Sequence, residues 1–525
     1  MAIKMKTITS FYNDKDGTVI AESECTATVP GIEEIEKEGF RAAFNQLEVT
    51  VLETTDSTRQ AAVSGLMEEL SKKKTESEVS EDKPGGTLIE KTYIIQGELG
   101  VLKTKGHKWI NGSQIIYDST ESFFEKTGAR EAFKSDQFKG LMLETATMMS
   151  VRNGTDFLNR MRRVDNGIIP MTFRNSVERE GESIRHCMDE KAAAAIEEKG
   201  LAVDGNDTVT WKKTGERVTQ EDFKSSQTHI DADIVHAAAK KLKLEEGSYN
   251  PSDYEQCGVN ISSDEVGVKR QTESRPREEE KAQPKRVENT VIHIEMANET
   301  NDPNMSSSSS YILNSPSVSD AFKLLLGFLC MNGLLDKTLV FFADGAKNLN
   351  TVIAAMFGFA HIKIILDWYH LRKKMEETLS LICNNRIYRN EMLQKIMPVL
   401  WRGDVDGAIA ILKFIDMSMV KNKGLLDYLI GYLERVRATI PNYMLRAMLG
   451  LRNSSNRGEK SNDIIVANRQ KHNGMSWSDA GSTAFASVSA VLYNNELDNW
   501  IKHGTLSLQL VERITPKRPK RNRKR

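Results

Sequence analysis

The spacing of hydrophobic and polar residues changes several times along the chain. Over about residues 1–85 the apolar positions follow a weak helical pattern, clearest from Ile32 to Lys72, so we expect a helical N-terminal region. The charged stretch Lys72–Lys83, followed by Pro84-Gly85-Gly86, is typical of a linker. The segment Lys91–Tyr117 alternates and is rich in Thr, Tyr, Ile and Val, which predicts two or three short antiparallel strands.

Helical spacing returns after residue 120 and predicts three consecutive helices. We expect them at about Gln137–Met149, at Ser150–Val164, and from Pro170, with Thr172 as the N-cap, through Arg185. Two helices across a Gly-containing turn are compatible with a helix-turn-helix that reads DNA. Two packed helices with solvated arginines would give the same pattern.

The third of these helices carries the candidate DNA contacts of this region, Arg174, Arg179 and Arg185. Residues 186–250 are polar and helical in pattern, as in a connector. We therefore expect residues 86–250 to combine a small β-meander with a helix-turn-helix-like DNA-binding region.

From about residue 252, short apolar segments alternate with helical ones. Strands are expected at Val259–Ser263, Val291–Met296, Ser308–Leu313, Thr338–Ala343 and Ile362–Leu366, with helices at Val318–Leu335 and Asn348–Phe359. The pattern is continuously helical from Leu371 to Leu451, which predicts a helical insertion over about 372–456. This order of strands and helices is that of the RNase H-like fold, so the expected fold class is α/β, with such a domain over about 252–510.

Composition and charge narrow the class of protein. The 525 residues are 39% hydrophobic and 28% charged, as in a soluble protein of two to four domains. The net charge of -1 does not indicate a nucleic-acid partner. Residues 511–525, however, are expected to form a basic tail, which would either bind phosphates or be a solvated terminus. With no secretory leader and no long apolar segment, the expected location is the cytoplasm, without a membrane partner.

The five cysteines lie far apart, so neither a zinc finger nor a disulfide framework is expected. Candidate chemistry comes instead from acids. Asp264 and Asp344 each follow a predicted strand, and carboxylates at adjacent strand ends, roughly 4.8 Å apart, can share a divalent cation. Gly267 and Gly345 would leave room for a phosphodiester.

Glu459, on a helix packed across the sheet, is the best placed third acid for the two cations, Mg2+ or Mn2+. The alternative for each aspartate alone is an ordinary turn residue before glycine.

Four blocks together resemble the DDE transposases of bacterial and archaeal insertion sequences and, more distantly, the Mutator-like transposases. They are Asp264–Gln271, Phe342–Ala346, Leu366–Lys374, and Glu459 followed by Asn468–Ser478. The resemblance implies that Asp264, Asp344 and Glu459 bind the metal ions. It also implies a helix-turn-helix within residues 120–190, and a homo-oligomer that cleaves transposon ends and joins them to target double-stranded DNA at the nucleoid. Some relatives carry paired cysteines near the N-terminus, which this chain lacks.

Other residues of these blocks have two interpretations each. Asp367 and His370 could act near the metal site, or Trp368 and Tyr369 could pack in the core and leave His370 structural. Further basic side chains suit phosphate contacts or solvated surfaces: Arg372, Lys373, Lys374, Arg469 and Lys471. Residues 474–478 are expected to close a loop, with Trp477 buried.

Two alternatives to an active transposase remain open. One is a catalytically silent DNA-binding protein derived from a transposase, and the other is an RNase H-like nuclease. The intact acids argue against the first, and the second should cleave DNA without transferring strands.

Overall fold

The structure is a computed structural model. It describes residues 3–516, except 32, 34, 35, 38, 80–84, 120–132, 166, 224–228, 256, 257, 273–283, 299–304, 346, 472 and 473. In this described part the chain is a mixed α/β protein with several sheets and about 15 helices, as the sequence predicted. It divides into two compact units, Met1–Val177 and Glu178–Arg525.

The first unit opens with an antiparallel hairpin, β1 (Ile3–Tyr12) and β2 (Val19–Val29), followed by the helix α1 (Phe40–Val79). The prediction of a helical N-terminal region is therefore wrong for the hairpin. Its strands are rich in threonine and other β-branched residues, which favour extended backbone. The predicted linker is also wrong as far as Val79, because the helix continues through it; the rest, 80–84, lies outside the described residues.

The predicted β-meander is confirmed, with longer strands than expected. A four-stranded sheet has the order β5-β4-β3-β6, and its strands are β3 (Thr87–Gly97), β4 (Gly100–Asn111), β5 (Gln114–Asp118) and β6 (Phe133–Lys134). The strands β3, β4 and β5 pair antiparallel in chain order. Two residues or fewer separate these strands in the sequence, which is the connection of tight hairpins.

Two of the three predicted helices have nearly the expected bounds, α2 (Asp136–Met148) and α3 (Val151–Met161). Each begins after a serine whose side chain accepts a backbone hydrogen bond, the usual N-cap. The third, α4, is Pro170–Glu198. It starts at the proline, which has no N–H to leave unsatisfied, so Thr172 lies inside the helix and is not its N-cap.

The stretch expected to be a helical connector contains a short hairpin, which corrects that prediction. The strands β7 (Leu201–Val203) and β8 (Val209–Trp211) pair antiparallel, and the helix α5 (Ala232–Lys241) follows. The polar residues between the strands form the turn, and this polarity resembled that of a solvated helix in the sequence.

The largest sheet lies in the second unit and has the order β13-β12-β9-β10-β11-β14. Its strands are β9 (Val259–Lys269), β10 (Arg286–Asn298), β11 (Met305–Ser315), β12 (Leu339–Ala343), β13 (Ile362–Leu366) and β14 (Val511–Pro516). The neighbours β9, β10, β11 and β14 pair antiparallel, whereas β12 pairs parallel with both β9 and β13. The expected tail 511–525 is thus wrong in its first part, which is an edge strand.

Helices cover this sheet. The helix α6 (Val318–Met331) buries nearly all of its apolar side chains, and Phe322 packs beside Phe341 of the sheet. The helix α7 (Lys347–Phe357) lies between β12 and β13 in sequence. Both helices were predicted within a few residues, because their apolar positions recur at helical spacing.

The stretch from 368 to 451 is fully described and contains no strand, which confirms the continuously helical pattern predicted from Leu371 to Leu451. Its helices are α8 (Trp368–Ile382), α9 (Arg386–Trp401), α10 (Val405–Lys413), α11 (Lys423–Val436) and α12 (Tyr443–Met448). They share a hydrophobic core that also includes buried residues of β12 and β13. In it the Trp368 ring lies 4.6 Å from Trp401 and 5.0 Å from Tyr443, centroid to centroid. The insertion is therefore a packed helical body and not a long loop.

The chain then returns to the sheet through one nearly continuous helix. This consists of α13 (Asn456–Asn462), a π-helical turn (Asp463–Ala467) and α14 (Asn468–Gln470). The helices α15 (Asp479–Tyr493) and α16 (Leu497–His503) follow. Of the helices that the structure describes, none combines the length and the apolar character needed to cross a membrane.

Two glycines of the second unit should respond oppositely to alanine. A Cβ on Gly327 in α6 would lie 2.4 Å from Cα of Ala192 in α4, so Gly327→Ala should destabilise this unit by about 1 to 3 kcal/mol through overpacking. Gly431 in α11 is exposed with nothing within 4 Å of the added Cβ, so Gly431→Ala should stabilise it by up to about 1 kcal/mol. Thermal unfolding of both variants measures this, and equal shifts would contradict the packing described.

Candidate active site

Asp264 lies in the central strand of the large sheet. The parallel partner β12 pairs with β9 as far as Phe342 opposite Ser262, while β9 continues to Lys269 along β10. The sequence placed Asp264 at a strand end, and this prediction is wrong. Asp264 lies within β9, two residues beyond the last residue that pairs with β12. Its Oδ1 accepts a hydrogen bond of 2.9 Å from the backbone N–H of Glu265.

Asp344 directly follows the last residue of β12, as predicted. Because Phe342 pairs with Ser262, Asp344 and Asp264 each come two residues after that pair, at matching positions of adjacent strands. A cleft of about 50 Å³ is lined by both aspartates and by Glu265. The following Gly345 has φ of +85°, a conformation that glycine adopts without strain, so the chain turns away immediately after Asp344.

Gly267 does not leave room beside the acids, contrary to the prediction. A Cβ there would lie 2.7 Å from Oε1 of Glu288 on the neighbouring strand. The space near Gly267 is thus taken by another carboxylate.

Glu459 lies on α13, which rests directly on the sheet face that carries Asp264. A Cβ on Gly458 would be 2.7 Å from Cβ of Ser262, so glycine permits this close approach. Asn462 Nδ2 donates a hydrogen bond of 2.6 Å to Oδ2 of Asp264. Glu459 is the fourth residue of the helix and not its opening residue, and it is about half exposed.

A buried charge cluster fixes the start of α13 on the sheet. Glu295 of β10 is 2% exposed and forms ion pairs with Arg452 and Arg457, on either side of the helix start. Two residues earlier on the strand, His293 Nδ1 lies 2.9 Å from Oγ of Ser461. Burial lowers the pKa of His293 to about 3, and the nearby arginines add to this, so this imidazole is neutral.

The sequence reasoning did not identify this cluster, although one signal was present. His293 and Glu295 are polar residues at alternate positions of the otherwise apolar segment Val291–Met296, and such residues on a buried face need partners.

His370 stands between two acids at the edge of the site. Its Nε2 lies 3.4 Å from Oε1 of Glu459, and its Nδ1 lies 3.5 Å from Oδ1 of Asp367. The Asp367 carboxylate raises the pKa of His370 despite its partial burial, and the charges of Glu459 and Asp344 act in the same direction. His370 therefore lies next to the candidate site, which agrees with the interpretation that it acts near the metal ions and not with that of a purely structural histidine.

Asp367 is buried and acts as the N-cap of α8, where its Oδ1 accepts from the backbone N–H of His370 at 3.0 Å. The backbone N–H of Ser455 donates to its other oxygen. Burial alone would raise the pKa of Asp367, but the hydrogen bonds from His370 and Ser455 outweigh it and lower the pKa. Trp368 packs in the core as the other interpretation proposed, whereas Tyr369 is 51% exposed and does not.

The acids of the site repel one another. Burial raises the pKa of Asp264 to about 6, and the charges of Glu459 and Asp344 contribute. Burial likewise raises the pKa of Glu265, with Glu288 as the next cause. Glu265 was not identified from the sequence, although it directly follows Asp264 and lines the same cleft.

Among the described residues no group of three or more His, Cys, Asp or Glu side chains already surrounds one metal position. Asp264, Asp344 and Glu459 thus lie near one another, where β12 ends beside β9, without surrounding a single metal position. Their oxygens are the ligand type that Mg2+ and Mn2+ prefer.

The basic residues singled out in the sequence have different surroundings. Arg174 and Arg179 are exposed on α4, while Arg185 pairs with Asp189 at 2.9 Å. Arg372 pairs with Glu376 at 2.7 Å, and Lys373 and Lys471 are exposed. None of these positions tests whether the side chains contact DNA, so the DNA contacts stay predictions.

Arg469 corrects an expectation, because it is 4% exposed and does not line a surface path. Its guanidinium lies 5.1 Å from the ring of Trp477 and 5.2 Å from that of Phe485. Trp477 is buried, as predicted, and its backbone joins β9 through Lys269 and Gln271. The segment before α15 therefore pairs with the end of β9.

Comparison of the chain with protein-family models and with curated protein sequences gives no match.

The raised pKa of Asp264 has a measurable consequence. Because the folded pKa of about 6 exceeds the ordinary value of 3.8, the charged carboxylate destabilises the fold above pH 6, and this penalty fades as the pH falls towards 4. In buffer without divalent cations, Asp264→Asn should therefore unfold at a higher temperature than the wild type at pH 8, by roughly 2 to 3 kcal/mol of stability. The Oδ1 atom of Asn462, which has no hydrogen-bond partner among the described residues, can accept from the new amide.

The matched control is Asp463→Asn, which changes an exposed acid at the start of the π-helical turn. Its unfolding temperature should follow that of the wild type at every pH. A gap between Asp264→Asn and the wild type that stays constant from pH 8 to pH 4 would show that the charge of Asp264 is not its cause.

Proposed function

We propose that the chain is a DNA transposase of the DDE type, which cleaves transposon ends and joins them to target DNA by metal-dependent phosphoryl transfer. The observation that carries the proposal is the placement of the three acids. Asp264 and Asp344 occupy matching positions on adjacent parallel strands, and Glu459 comes from a helix lying on the same strand as Asp264. This is the arrangement that the resemblance of the sequence implies.

The order of the strands supports the same class of fold. The central strand β9 has β10 and β11 antiparallel on one side and the parallel strands β12 and β13 on the other. That order is typical of an RNase H-like domain, which we propose for about residues 252–510, extended by β14. The helical insertion then lies between β13 and the helix that carries Glu459. A fold alone does not define an activity, so the proposed activity rests on the positions of the three acids.

The side chains present fit a pair of hard divalent cations. Asp264, Asp344 and Glu459 would hold Mg2+ or Mn2+. Burial raises the pKa of Asp264 and the charges of Glu459 and Asp344 add to it, and bound cations would offset both causes. When bound, two such ions activate a water or a DNA 3′-hydroxyl and stabilise the leaving oxygen. His370 lies between Asp367 and Glu459, 3.5 and 3.4 Å from their nearest oxygens, which is where outer partners of metal ligands are commonly found.

The proposed partner is double-stranded DNA, both transposon ends and target. Because the net charge is -1, attraction to DNA has to come from local groups of basic side chains. The candidates for phosphate contacts are the exposed Arg174, Arg179, Lys373 and Lys471. A homo-oligomer at the nucleoid is part of the same proposal, because two ends are cut together.

The test is an assay of the purified chain with duplex DNA that carries the terminal repeats flanking its gene. With Mn2+ or Mg2+ the wild type should nick at the repeat ends and transfer the new 3′ ends to a second duplex. Asp344→Asn and Glu459→Gln should each reduce nicking by a factor of at least about 100, since each removes a proposed metal ligand. Asp463→Asn, an exposed acid four residues after Glu459, should retain activity.

The other outcomes separate the alternatives. Binding of the repeats without metal-dependent nicking would favour the silent DNA-binding protein. Nicking without strand transfer would favour a nuclease. Full activity of Asp344→Asn would exclude the proposed site.

A further inference from the structure

Positive charge exceeds negative charge where α13 begins on the large sheet. Arg452 and Arg457 share the single buried carboxylate of Glu295. Arg513 of β14 belongs to the same group of side chains. Burial is the main cause that lowers the pKa of His293, and the charges of all three arginines add to it, so Arg513 lies near the other two. The group thus combines three guanidinium groups with one carboxylate.

The hydroxyl of Ser308 marks a position that two of these arginines share. Arg457 Nη1 donates to Ser308 Oγ at 3.4 Å, and Arg513 lies directly opposite Ser308 in the antiparallel pair of β11 and β14. Opposite residues of such a pair point to the same face, with Cβ atoms about 4.5 to 5.5 Å apart. Arg513 Nη2 also donates to the Tyr493 carbonyl at 2.7 Å, and its guanidinium lies 4.5 Å from the centre of that ring. These contacts hold Arg513 beside Ser308.

The arginines at Ser308 are accessible and have donors to spare. The side chain of Arg457 is 51% exposed, and Arg513 is partly exposed. A guanidinium has five N–H donors, and the ion pair with Glu295 uses only some of those of Arg457. Among the described residues, no acid forms an ion pair with Arg513. The acid that precedes it, Glu512, instead accepts a hydrogen bond of 2.6 Å from Ser307.

The helix α13 connects this cluster with the candidate active site. It places Arg457 at Ser308, and the next residue, Gly458, lies against Ser262 of the central strand. Glu459, a proposed metal ligand, follows directly. Two residues of an α-helix rise only about 3 Å, so DNA that reaches Glu459 also passes close to Arg457.

We infer that Arg457, Arg513 and Ser308 form a binding site for a backbone phosphate of the DNA, next to the phosphate that is cleaved. In this site the two guanidinium groups and the hydroxyl donate to the non-bridging oxygens, while Arg452 keeps Glu295 paired. A phosphate suits the site because guanidinium groups match its oxygens in geometry and in charge. The inference rests on the proposed function, since that function brings a duplex to Glu459.

Arg513→Gln tests the site with the least disturbance, because the change removes a charge without breaking an ion pair among the described residues. Binding of the terminal-repeat duplex is measured in Ca2+ over a series of KCl concentrations. Arg513→Gln should weaken binding by at least about threefold and reduce the slope of log Kd against log KCl concentration by about 0.9, the value for one lost phosphate contact. Arg457→Gln should do the same.

The matched control is Arg437→Gln in the helical insertion. Arg437 is also a partly exposed arginine in an ion pair, at 2.6 Å from Asp406. Its replacement should leave both the affinity and the slope unchanged. Because Arg457→Gln also removes a partner of Glu295, its unfolding temperature is measured beside its affinity. If that variant does not fold, Arg513→Gln decides alone.

The salt slope and the DNA sequence make the test specific for a phosphate. A phosphate carries no base information, so Arg513→Gln should weaken a scrambled duplex by the same factor as the repeat duplex. Unchanged affinity and slope of Arg513→Gln would overturn the inference. Weaker binding with the slope of the wild type would also overturn it, since the lost contact would not be to a phosphate.

Free phosphate is the other source of the same chemistry. Inorganic phosphate should displace the duplex no more than KCl of equal ionic strength does. Stronger displacement from the wild type than from Arg513→Gln would assign the site to free phosphate and overturn the inference.

Binding and nicking distinguish failure of this inference from failure of the proposed function. A wild type that binds the duplex but never nicks it contradicts the proposed activity, and the two variants still decide on the phosphate site. A wild type that nicks, with Arg513→Gln and Arg457→Gln binding equally well, keeps the function and overturns the site. A wild type that does not bind the duplex overturns both.

Discussion

The candidate site depends on the ion pairs between Glu295 and the two arginines Arg452 and Arg457. Glu295 is buried in the middle of the large sheet, and its partners lie on either side of the start of α13. A buried charge that loses its partner is strongly destabilising, so this contact fixes the helix start to the strand. With the helix start fixed, Gly458 lies against Ser262, and Glu459 is held near Asp264 although nearly 200 residues separate them.

The same positioning has an electrostatic cost at the site. Burial is the main cause that raises the pKa of Asp264 to about 6, and the nearby charges of Glu459 and Asp344 add to it, so the site is less stable with all its acids ionised. Two features limit this cost, the hydrogen bond from Asn462 to Asp264 and the neighbouring His370. Functional sites commonly retain such unfavourable charge, because the ligand that compensates it is then bound more strongly.

Sequence reasoning succeeded where periodicity was strong and local. The apolar strand Ile362–Leu366 has the predicted bounds, and the helical insertion was recognised from its unbroken spacing. It failed where hydrogen bonding between strands that are distant in sequence determines the structure. The antiparallel partner β10 extends β9 beyond Asp264, and pairing with β11 makes an edge strand of Val511–Pro516. The cluster around Glu295 depends on contacts between residues distant in sequence, which spacing within one segment does not reveal.

The most direct test of the account is to map where a redox-active cation binds. Fe2+ can occupy sites built for Mg2+ or Mn2+, and with ascorbate and peroxide it generates hydroxyl radicals that cut the nearby backbone. The account predicts fragments that end close to residues 264, 344 and 459, all suppressed together by excess Mg2+ and absent from Asp264→Asn. Cleavage at only one of these positions, or at none of them, would contradict the claim that the three acids share one site.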